Sequence, residues 1–196
     1  MISLGQMPSS GTPTDEPPKL ASLADFLDGA RMCMRTVSPE MQVNTQYFWD
    51  EHWSYTKPEK STTSDGTFET IQYDQNDVTI SLLDFGRVVI CRVGAWTSSS
   101  SDVPKIRSSL IEKLGARPLR QVPELTEMSD LMAQRMPQVD QANVLVIGSY
   151  QLEITSKDVD LAQEGIKGGK TTPIVMLTIV PLSQKYQARL KVGTGK

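Results

Sequence analysis

The chain has one histidine, His52, so any proton transfer that needs an imidazole near neutral pH must use it. Asp50 and Glu51 precede it directly. A carboxylate beside an imidazole can orient the ring for acid/base work, which makes a small hydrolase or transferase one reading of this segment. On an extended strand, however, Asp50 and His52 would stand about 7 Å apart on one face, too far to assure a direct hydrogen bond. A solvent-facing histidine with no catalytic part is the simpler expectation.

The same segment holds five of the aromatic residues, Tyr47, Phe48, Trp49, Trp53 and Tyr55. Read at a period of two from Thr45, it places Tyr47, Trp49, Glu51, Trp53 and Tyr55 on one side of a strand, with Phe48, Asp50, His52 and Ser54 on the other. Such a face suits stacking against a planar ring or anchoring a protein partner. The competing reading is a core strand packed under the first helix. Tyr47, Trp49, His52, Trp53 and Tyr55 are therefore the candidate binding residues.

Cys33 and Cys91 fall on a predicted helix and a predicted strand, too few for a zinc site and too far apart for a CxxC redox pair. Two buried thiols are the first expectation; a disulfide is the second, if the chain is exported. A Cys91–His52 nucleophile pair would need the two to meet across the sheet. The run Gly165–Thr172 has the look of a phosphate loop. Its spacing is broken at Glu164, however, and Pro173 and a strand follow where a helix is required. It is expected to be an inter-strand loop. No metal-binding pattern and no cofactor motif occur.

Around these candidates, residues 1–21 are rich in Pro, Ser and Thr and read as a flexible arm, with 22–196 as a single domain. Ser22 and Asp25 open a helix whose apolar face is Leu23, Phe26, Leu27, Ala30, Met34 and Val37 and which ends before Pro39. Four strands follow the helix: the aromatic one, then 67–74, 78–83 and 87–95, with a polar loop KPEKSTTSDG after the first. Helices over 102–114 and 124–135 come next, then strands over 143–154 and 173–180 and a basic-faced edge strand over 184–192. The expected fold is α+β, an antiparallel sheet of about seven strands in the order α-β4-α-α-β3, with helices on one face.

A formal net charge of −3 removes the long-range attraction a general nucleic-acid or anionic-membrane binder relies on. No apolar run approaches membrane-helix length, and Met1–Leu20 lacks a signal-peptide core. The expectations are no nucleic acid, no membrane, and a cytoplasmic location as written, or an exported one if a leader was removed. The favoured function is a non-enzymatic binding or accessory module that engages a protein partner through the aromatic strand or a sheet edge. The alternatives are the His52 hydrolase or transferase and a structural part of a larger assembly.

Overall fold

A computed structural model of the chain describes residues 19–63, 66–86, 88–99, 102–162 and 170–193. The arm up to residue 18 and most of the Gly-rich loop, 163–169, lie outside the described residues. Helix α1, Leu23–Thr36, starts where the sequence places it: Ser22 Oγ accepts from Asp25 N–H at 3.2 Å, and Asp25 and Arg35 complement the helix dipole at its two ends. Its buried stripe includes Phe26, Leu27, Ala30 and Cys33.

A short helix α2, Gln46–Asp50, precedes four strands: β1 Ser54–Thr63, β2 Gly66–Gln75, β3 Val78–Asp84 and β4 Val89–Trp96. Asn76 and Asp77 make the two-residue β2–β3 turn, both with positive φ, as a tight hairpin requires. Helix α3, Asp102–Leu114, stops at Gly115, whose φ of 71° allows its N–H to close on Ile111 O. The chain then forms β5 Arg117–Pro118, α4 Thr126–Arg135, β6 Val144–Ile147, β7 Tyr150–Asp160, β8 Thr171–Pro181 and α5 Gln184–Gly193.

All eight strands share one antiparallel sheet in the order β1-β2-β3-β4-β8-β7-β6-β5. It consists of two meanders whose last strands, β4 and β8, meet in the middle with Val93 opposite Leu177. One face carries Val78, Ile80, Cys91, Val93, Leu152, Ile154, Val175 and Leu177, and α1 and α3 close over it as the main core. The α+β antiparallel fold is as the sequence indicates. Two further helices depart from the one-face arrangement: α4 and α5 enclose a second cluster, with Leu119, Leu125, Met128 and Leu182, against Val144 and Val146 on the opposite face.

Four segments differ from their sequence reading. Residues 45–53 are a helix and a turn rather than a strand, which starts at Ser54. The polar stretch through Thr63 belongs to β1 and is no loop. The strand expected over 143–154 is a hairpin turning at Gly148, φ 52°. The segment 184–192 is α5. Its two-residue alternation also satisfies a helix, since Tyr186 and Leu190 lie four apart and both pack on the second cluster. The strand reading put Gln187 outward, but it is buried, with Nε2 donating to Pro39 O at 2.9 Å and Leu182 O at 2.6 Å. Sheet count and order follow: eight strands, with the 143–154 strand divided into β6 and β7, a short β5 added and the last strand replaced by a helix.

Two features hold α1 against the sheet. Cys33 and Cys91 are joined in a disulfide, Cα to Cα 5.7 Å, that ties α1 to β4. One turn earlier, a Cβ on Gly29 would lie 2.8 Å from Val93 Cγ1 and 3.1 Å from Val78 Cγ1, so only a glycine lets the helix sit this close. Gly29→Ala is expected to lose about 1–2 kcal/mol in urea titrations, because a core clash outweighs the roughly 1 kcal/mol that alanine gains in a helix. Replacing both cysteines by alanine is expected to cost about 4 kcal/mol on the chain-entropy model for the 58-residue separation, measured the same way.

Candidate functional site

The aromatic segment folds as a corner. Asn44 Oδ1 accepts from Gln46 N–H at 3.1 Å, and Gln46 Nε2 donates to Asp50 at 2.9 Å, so an Asx turn leading into α2 and a pair four residues apart both favour a helical turn. His52 then adopts φ 61°, and its N–H closes on Trp49 O at 3.1 Å, reversing the chain into β1. The turn brings Phe48 and Trp53 into the same core, which no single face of a strand can do for residues five apart.

The rings form a graded series from core to solvent. Phe48, fully buried, stacks on Tyr73 at 3.7 Å between centroids, and Trp53 meets Phe48 edge-on at 5.8 Å. Tyr55 lies 5.7 Å from Tyr73, and Trp49 lies 5.7 Å from Tyr55. Trp49 is 52 % exposed and Tyr55 44 %, whereas Trp53 is 5 % exposed and belongs to the core. Tyr47 is half-buried under the Arg35 guanidinium, 4.6 Å from its ring centre. Burial raises the Tyr73 hydroxyl pKa, and a hydrogen bond with Thr45 and the nearby Tyr55 act more weakly. Of the five candidates, Trp49 and Tyr55 form the exposed pair, Tyr47 packs under Arg35, and Trp53 lies in the core.

His52 is exposed, but the carboxylates beside it in sequence are engaged elsewhere: Glu51 pairs with Arg35, and Asp50 accepts from Gln46. Cys91 is bonded to Cys33 and buried, so a Cys91–His52 pair has no thiolate to offer. Beside the corner, Asp25, Asp28, Arg31, Arg35, Glu51 and Asn76 line a groove of about 310 Å³. Its charges are largely satisfied within it, Arg31 by Asp28, Arg35 by Glu51, and Asp25 by Asn76. Among the described residues no group of three or more His, Cys, Asp or Glu could hold a metal ion, and no helix is long and apolar enough to cross a membrane.

A second arrangement escaped the sequence reading. Gln72, Ser81, Arg92, Thr178 and Glu153 stand in one row across β2, β3, β4, β8 and β7, on the face away from α1. Arg92 Nε is buried and has no hydrogen-bond partner. Burial lowers the Arg92 pKa and raises that of Glu153, and each opposes the other's shift by attraction. The signal was there to find: Arg92 interrupts an otherwise apolar Val88–Trp96 run with a charge.

Comparisons with protein-family models, with curated proteins and with solved structures found no match to this chain.

Glu153 has a sign that titration can check. Its folded pKa stands above the ordinary carboxylate value, so the folded state holds the proton longer than the unfolded one, and stability falls as pH rises from the unfolded value through the folded one. Glu153→Gln is expected to match the wild type near pH 4 and to exceed it at pH 7 in denaturant titrations.

Proposed function

We propose that this chain is a non-enzymatic binding module that docks a protein partner on the exposed ring pair Trp49–Tyr55. The observation that carries the reading is the geometry of that pair: two large rings 5.7 Å apart, both about half exposed, backed by the buried Tyr73–Phe48 stack. Tryptophan and tyrosine anchors dominate interface energetics, and rings already held in place lose little freedom on binding. The Arg35–Glu51 ion pair beside them suits a polar rim.

Strand addition at a sheet edge has less support. Edge strand β1 contains Pro58, which lacks an N–H, and its register slips between Thr56 and Glu59. The opposite edge, β5, is two residues long and ends in Pro118. An acid/base role for His52 is weakened by the other engagements of Asp50 and Glu51. The Cys33–Cys91 bond favours maturation in an oxidising compartment as part of the same reading.

The test is affinity capture from the source cells with the full chain as bait, wild type against Trp49→Ala/Tyr55→Ala. A partner retained by the wild type is expected to be held at least tenfold more weakly by the double variant, while circular dichroism and thermal midpoint stay unchanged. Equal retention of the same partner by both would rule the ring pair out.

A further inference from the structure

On the sheet face away from α1, an apolar patch lies beside the row that crosses its middle, while Asp74, Thr79, Thr155 and Lys157 make the far side more polar. Leu83, Ile90 and Val180 flank Arg92 on one side, with Met176 and Trp96 toward the other end of the strands. Strand alternation puts all of them on Arg92's face, and none belongs to either core cluster. The described helices pack elsewhere: α1 and α3 on the other face, α4 and α5 at the β5–β6 end.

At the centre of this face stands a cation with nothing to neutralise it at contact distance. Among the described residues, Arg92 has neither an ion-pair nor a hydrogen-bond partner. The acid on its row, Glu153, sits two strands away with Thr178 between them. A half-buried guanidinium with an unsatisfied Nε is costly unless an acceptor meets it. The fork of a guanidinium matches two oxygens of one carboxylate, and the hydroxyls of Ser81 and Thr178 stand on either side of Arg92 in the row.

We propose that this face binds a small monocarboxylate with an apolar tail, its head group on Arg92 between Ser81 and Thr178 and its tail along Ile90 and Val180. Charge selects the head group. Arg92 is the one cation in its row, so a monoanion neutralises it, whereas a phosphate dianion would remain half unpaired. The apolar flanks select the tail, since burying hydrocarbon against them contributes about 25 cal/mol per Å². This site lies on the opposite face from Trp49 and Tyr55 and stands independently of the partner-docking reading.

The probe is decanoate, titrated calorimetrically into the full chain below its micellar concentration, with decanol and inorganic phosphate as comparators. Decanoate is expected to bind, decanol and phosphate to bind at least tenfold more weakly, and Arg92→Met to weaken decanoate at least tenfold. Lys113→Met, which removes a charge from α3, is expected to leave binding unchanged. On the wild type, decanoate should shift amide resonances of β4 and β8 and leave those of α2 in place, a readout that does not depend on the variant folding. Absence of decanoate binding, phosphate binding as tightly as decanoate, resonance shifts confined to other elements, or a folded Arg92→Met that binds as the wild type does would each overturn the proposal.

Discussion

The pairing of β4 with β8 is the constraint from which the rest of the molecule follows. These strands end the two meanders, they are far apart in sequence, and their register from Cys91–Ile179 to Trp96–Ile174 joins both halves into one sheet. Helix α1 crosses this seam at close range through Gly29, and the Cys33–Cys91 bond fixes it there. Its far end is held from the other half of the sheet: the Tyr150 hydroxyl on β7 lies 3.0 Å from Met34 O and 2.9 Å from Val37 O. The helix therefore spans the junction and touches both meanders.

Once the seam is set, the two faces acquire different characters. The α1 face closes into a dry core whose aromatic margin, from Phe48 outward to Trp49, reaches solvent at one corner. Among the described residues, helices cover the other face at its β5–β6 end, where Glu127 on α4 receives Lys185 at 2.5 Å and Arg189 at 2.7 Å from α5. These two ion pairs hold the Glu127 carboxyl below the usual carboxylate range, so the favourable contact persists until the solution is acid. The proposed recognition surfaces are thus the margin of one face and the middle of the other.

Much of the fold was legible because several segments agree at every level. In α1 the cap, the apolar stripe and the proline stop all coincide, and in β2 to β4 alternation is bounded by turn residues that take positive φ. Where the reading failed, one pattern fitted two structures. Residues 184–192 alternate, yet Tyr186 and Leu190 also lie four apart, and the second apolar cluster chose the helix. At Tyr47–Tyr55 the alternation was real but local; the turn at Asn44 and the need to bury both Phe48 and Trp53 overrode it. The candidate rings divided accordingly, Trp49 and Tyr55 outward and Trp53 inward. Arg92 went unnoticed because its meaning depends on which strands flank β4, and β8 lies some eighty residues further along.

The burial of both cysteines has a consequence for the life history of the molecule. Neither residue has any surface exposed, so no oxidant, reductant or exchange enzyme can touch the sulfurs while α1 is seated. The cross-link is therefore written into the chain while the helix is still off the sheet, and it is erased only in molecules that open again. In molecules that stay closed, the bond is shielded from the redox conditions they meet afterwards.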